Sequence, residues 1–328
     1  MPLSVAVNRQ ELTEQRSHSA AFHKMTAEEA DIVQAFVLGL FTTVAVLGNI
    51  IVCVIVYKHR WILHPTNDFV ISLALLDILT AVIPLPLTIC VFIGGPGWMF
   101  GKATCSVDAF FNDFAKYASI CTLCFIAIQR YYRFLKPLEC NETFTPGYTL
   151  TISICIWIGS SLFAGLPVMA GWADYTFSYE YLGCWITYNQ DLQQSVWNTC
   201  ILLLKIIPTF LTFYCYRVIY GAIRRSSPRV RSISRVRGNS GVIEANVEFL
   251  NSTKKYRLTK TFLVISIVFV VSWLPPSIIF VIDQLLSLHL TLIGSRILRF
   301  STAVALASKV FIYGWVNRPF RRELFNLF

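Results

Sequence analysis

Three lysines, Lys116, Lys205 and Lys309, stand inside long apolar runs of this chain, and Asp77 lies in a fourth. Charges placed in hydrocarbon are costly, so they are kept where they pair, line a polar cavity or mark the path of a ligand or ion. Asp113 and Lys116 are three residues apart, a spacing at which side chains on one helix neutralise each other. Cys121 and Cys124 form a CxxC, but inside the apolar run Ser119-Ile-Cys-Thr-Leu-Cys-Phe-Ile with no second ligand pair. A zinc or redox centre is therefore disfavoured, and no metal or cofactor is expected. No Ser/His/Asp set, HExxH motif or phosphate loop occurs, and the five histidines fall mostly in loops and ends. An enzyme is not expected.

The elements that position these residues follow from composition. The 328 residues are 55% hydrophobic and 14% charged, with a mean hydropathy of +0.59. Soluble domains carry about 25% charge, and disordered chains need low hydrophobicity. A bilayer core takes roughly 20 apolar residues in a helix. Such spans are read at 32–57, 68–93, 105–134, 149–170, 196–221, 259–285 and 290–315. Backbone groups in lipid must pair within their own segment, so the spans are helices. The expected fold is all-α, a seven-helix transmembrane bundle over 32–315, preceded by an extracellular segment 1–31 without a cleavable signal.

Orientation follows from the loops. Nineteen Lys and Arg gather on the side of 57–66, 130–136, 217–260 and the tail, against six on the other. The basic side is cytoplasmic, which places the N-terminus outside. The net charge of +10 thus reads as topology, and nucleic acid is not an expected partner. The connection 222–258 is polar, basic and expected to be mobile; Arg224-Arg225-Ser226-Ser227 fits a basophilic kinase. The sequons at Asn141 and Asn251 fall on the inner side and should stay bare. At the end of the chain Phe320, Leu324 and Leu327 recur at i, i+4 and i+7, so 316–328 reads as an amphipathic helix on the inner leaflet.

Residue landmarks sharpen this picture. Gly48-Asn49 lies in the first span and Ser72-Leu-Ala-Leu-Leu-Asp77 in the second. Cys105 opens the third, which closes on Gln129-Arg130-Tyr131. Trp157 lies in the fourth, Pro208 and Tyr216 in the fifth, Ser272-Trp273-Leu-Pro275 in the sixth, and Tyr313 before Asn317-Arg-Pro-Phe-Arg in the seventh. In order and spacing, over about 31–325, the chain resembles the rhodopsin-like (class A) G-protein-coupled receptors.

The resemblance implies a disulfide between Cys105 and Cys184, and both fall on the oxidising face. It implies that Arg130 contacts a heterotrimeric G protein, with Tyr131, Tyr216 and Tyr313 in the switch. The family's acid before this arginine is Gln129 here, and the helix-6 acid is Lys255. Losing about 1 kcal/mol from the inactive state changes its population about fivefold, so raised basal signalling is expected unless packing compensates. The family's Asn-Pro-x-x-Tyr is Lys309-Val-Phe-Ile-Tyr313, without proline, so the last helix should kink less. Lys309 should lie with Asn49, Asp77 and Ser119, pairing with Asp77 where relatives bind sodium. The retinal lysine of opsins corresponds to Ala303, so bound retinal is not expected.

The resemblance places a ligand from outside among Asp108, Asn112, Asp113 and Lys116, then Lys205, Trp273, Pro276, Phe280 and Arg299. Asp108, Asn112 and Lys116 fall on one helical face, and Trp273 is the expected switch beneath the ligand. Amine receptors hold an aspartate where this chain has Asn112, which disfavours a common monoamine. Lys116, Lys205 and Arg299 could hold an anionic or carbonyl-bearing ligand, or Asp113 and Lys116 could simply cancel. The reading is a plasma-membrane receptor coupled to a G protein, with arrestin engaged through serines of 222–258. Alternatives are a ligand-binding receptor that does not couple, and a transporter or channel, which lacks visible repeats.

Overall fold

The computed structural model describes the backbone over residues 3–59, 66–95, 97–233, 239–286 and 290–326, and side chains there except at 3–28, 226–255, 280–281 and 283–285. The elements in order are α1 (Leu3–Lys58), α2 (Asn67–Val82), α3 (Pro84–Gly94), α4 (Gly101–Leu135), α5 (Pro137–Thr143) and α6 (Pro146–Met169), the strands β1 (Ala173–Ser178) and β2 (Gly183–Tyr188), then α7 (Asp191–Ile233), α8 (Asn239–Leu286), α9 (Thr291–Val316) and α10 (Arg318–Phe325). Among the described residues, seven helical stretches are long and apolar enough to cross a membrane. Their lipid-facing sides carry Phe36, Ile154, Leu203, Phe210 and Val271, all exposed. Apolar groups outside and polar groups inside are what hydrocarbon solvent demands.

Several elements differ from the sequence expectation. The second span is two helices meeting at Ile83, because Pro84 supplies no N–H and disfavours helical geometry at the residue before it. Helix extends from the fifth span to Ile233 and resumes at Asn239, so much of the expected loop 222–258 is helical backbone. Elongating an anchored helix avoids the cost of nucleation, which also accounts for α1 reaching back to Leu3. Between α6 and α7, in a fold expected to be all-α, the chain forms an antiparallel hairpin with Ala173 opposite Tyr188 and Ser178 opposite Gly183.

Helix α4 is the central rod, packed against α2, α6, α7 and α8. Towards its C-terminal end Leu123, Ile126 and Ala127 join Phe69, Leu73, Ile219, Phe262 and Tyr313 in one core. Gly48 lets α1 lie directly on α9, since a Cβ there would stand 2.8 Å from Val310 Cγ1. Without a proline in its lower half, α9 runs unbroken over 26 residues. Asn317 caps α10, whose Phe320 is buried beside Tyr313 with ring centroids 5.4 Å apart. Leu327 lies outside the described residues.

Candidate functional site

Polar side chains inside the bundle form three levels. The deepest is an ion pair. Lys309 Nζ on α9 donates to Asp77 Oδ1 on α2 at 2.6 Å, with the two residues 3% and 1% exposed. Asn49, also buried, donates to Ala45 O at 2.8 Å and to Leu306 O at 3.3 Å, tying α1 to α9. Ser119 is buried on α4. A lone charge here would be prohibitive, so each partner makes the other tolerable.

At the inner level Arg130 is 2% exposed. Its guanidinium lies over the Phe262 ring of α8, 4.9 Å from the centroid, a cation–π contact. Gln129, Tyr216 and Tyr313 are buried around it and Tyr131 is half-buried. The Phe262 and Tyr313 rings meet edge-on at 6.2 Å. Arg130 thus lies under α8 instead of reaching out. The side chains of Lys255 and of Ser226, Ser227, Ser232 and Ser234 lie outside the described residues.

The outer level lies beneath the hairpin. Cys105 and Cys184 form the disulfide, which ties β2 to the top of α4. Asp108, one turn below Cys105, is 0% exposed, and its Oδ2 accepts from the Cys184 backbone N–H at 2.9 Å. Arg299 on α9 reaches the same point and donates to Tyr181 O at 3.3 Å. Gly183 makes this possible: a Cβ there would stand 2.7 Å from the Arg299 guanidinium and 2.8 Å from Asp108 Oδ2. Asp108 and Arg299 therefore hold the hairpin down from both sides. Tyr175 of β1 donates to Ala164 O at 3.0 Å, and burial pushes its phenol up to about 12, so it stays neutral.

One turn deeper, Asp113 and Lys116 pair at 3.6 Å. The Lys116 ammonium also lies 5.7 Å from the centre of the Trp185 ring on β2, which stacks on Tyr181. Asn112 and Pro276 are buried. Lys205 on α7 lies over Trp273 of α8, 5.9 Å from the ring centroid. Nine positions were expected around a ligand; Asp108 and Arg299 sit together under the hairpin, Asp113 with Lys116, and Lys205 with Trp273. The Phe280 side chain lies outside the described residues. Tyr181, Gly183 and Trp185 were missed, because nothing in the local sequence of this connection, aromatic-rich as it is, shows that it folds back over the bundle. A further small cleft, with room for about one water, lies lower between α4, α7 and α8, lined by Ile120, Thr212 and Ser266 among others.

Comparison with known proteins adds an independent line. The family profile "7 transmembrane receptor (rhodopsin family)" matches residues 48–311. The octopamine receptor beta-1R of Drosophila melanogaster is 26% identical over 97% of this chain and 67% of its own length. The D(1)-like dopamine receptor of Takifugu rubripes is 32% identical over 73% of this chain, which spans 55% of that receptor. The crystal structure of squid rhodopsin superposes with a TM-score of 0.78 at 22% identity, covering 90% of this chain and 84% of that one.

Proposed function

The chain belongs to the rhodopsin family of seven-transmembrane receptors, and on that premise we propose that it is a receptor at the cell surface whose extracellular ligand activates a heterotrimeric G protein. It is a multi-pass membrane receptor and not an enzyme. The observation that carries the mechanism is Arg130 buried beneath Phe262. A partner can reach this guanidinium only after α8 moves. A ligand seated against Trp273, higher on the same helix, could move it. Coupling then amounts to shifting a two-state equilibrium by the ligand's differential affinity. The excess of Lys and Arg on the inner loops supports an outside N-terminus and an acidic partner surface within.

The named relatives are receptors for octopamine and dopamine. In this chain Asn112 is neutral and Asp113 is held by Lys116, which argues against simple transfer of an amine ligand. Any phosphorylation-dependent arrestin binding would use the serines between 222 and 258, and α10 would rest on anionic lipid through its arginines.

The test is nucleotide exchange on purified G proteins, driven by an agonist found by screening the full-length receptor. Arg130→Ala should abolish exchange while leaving ligand binding in place. Ligand binding with no exchange on any G-protein class would instead support a receptor that binds without coupling. Solute or ion flux in vesicles, without any G protein, would support transport.

A further inference from the structure

The charges of the outer level do not balance. Asp108 acts on Arg299, and Asp113 holds Lys116, which leaves Lys205 as a third cation against two acids. Among the described residues no carboxylate comes within ion-pair distance of Lys205 and no oxygen accepts from its ammonium; Asp113, already paired with Lys116, acts on it only at longer range, and its close contact is the Trp273 ring. The indole Nε1–H of Trp273 is itself buried and, among the described residues, has no acceptor. Two donors on contacting residues, one charged and one neutral, therefore lack an acceptor. A buried donor such as the indole N–H is rarely left this way, because its desolvation is then uncompensated, while Lys205 is half-buried. The cation–π contact offsets part of the cost for Lys205 but supplies nothing to the indole N–H.

The complement to this pair is an oxygen acceptor carrying one negative charge. A cationic ligand would be repelled by Lys205 and would have to displace Lys116 from Asp113. The neighbouring wall is apolar: Ile201 and Leu204, on the same helix as Lys205, pack with Phe110, Phe111 and Phe114. We propose that Lys205 and Trp273 form the anion subsite of the ligand cavity, and that the ligand is a small monocarboxylate with an aromatic or aliphatic body. This rests on the receptor reading above and supplies its ligand class.

Three probes of similar size separate the charge states: phenylacetate, 2-phenylethanol and 2-phenylethylamine, each up to roughly 10 mM, where weak binding still stabilises a fold. The readout is thermal unfolding of the purified full-length chain in lipid nanodiscs. Phenylacetate should raise the melting temperature in a dose-dependent way, while the alcohol and the amine should not. Lys205→Met should move the midpoint of that dependence at least about tenfold, since a charge-assisted bond is lost. Lys205→Arg should keep most of the response. Trp273→Phe, which retains the ring and deletes the donor, should weaken it about threefold. If Lys205→Met does not fold, the other two variants carry the comparison.

Absence of stabilisation by phenylacetate, equal stabilisation by the amine, or an unchanged midpoint in the Lys205 and Trp273 variants would overturn the proposal. Basal nucleotide exchange on the same preparation separates the two readings. Exchange that depends on Arg130, without phenylacetate binding, removes the anion subsite and keeps the receptor. Phenylacetate binding without exchange keeps the subsite and removes the coupling.

Discussion

Two parts of the bundle bury ionised side chains, and they are assembled differently. Asp77 and Lys309 meet one to one between α2 and α9, at 2.6 Å, and both are buried. The outer cluster has five charges on α4, α7 and α9, and two of them, Asp108 and Arg299, are engaged by backbone groups of the hairpin. The deep pair is neutral and closed, and its two ions have little to offer a diffusing molecule. The outer cluster carries a net positive charge, and a loop lies over it. A balanced pair joins helices; an unbalanced cluster under a lid can recognise something.

The largest test of this contrast is to break the closed pair. Asp77→Asn or Lys309→Met alone leaves an uncompensated buried charge and should cost about 3–5 kcal/mol, read as a lower melting temperature in detergent. The double variant should recover most of the loss, because two neutral groups no longer need one another. Additive losses would show that the two residues do not act as a pair.

Asp108 and Arg299 should behave differently. In Arg299→Met the Asp108 carboxylate still accepts from the Cys184 N–H, so the expected loss is smaller, about 1–3 kcal/mol. The hairpin should loosen at the same time, seen as faster hydrogen exchange over 181–188. Unchanged exchange there would detach these two residues from the loop.

At the inner level, Gln129→Glu places an acid beside Arg130. It should lower basal nucleotide exchange about fivefold, the ratio that about 1 kcal/mol produces. An unchanged basal rate would mean that packing against Phe262 already holds Arg130. The smallest expected effect is nil: replacing sodium with choline should leave ligand affinity unaltered, because the Lys309 ammonium fills the place a cation would take. In Lys309→Ala, with Asp77 intact, a sodium response should emerge.

The legibility of these features follows from their range. Seven spans were readable because lipid forces about 20 apolar residues into each crossing, a local property of the chain. The break before Pro84 is equally local, yet an apolar run on both sides hides it. Asp77 and Lys309 are 232 residues apart, and their meeting was inferred through resemblance, not from periodicity. The hairpin was invisible: Gly183 is needed there because of Arg299 and Asp108, which belong to other elements.

By itself, the order of residues determined that the chain is a seven-helix membrane protein with its basic ends on one side, since hydropathy and charge act where they stand. The three-residue spacing of Asp113 and Lys116 already offered one local pair, but which lysine is left without a carboxylate was decided only by tertiary structure. Lys116, Lys205 and Lys309 look alike in their apolar runs, and Coulomb energy depends on distances that the fold alone sets. Folding gives Asp113 to the first and Asp77 to the third, and lays the second over Trp273.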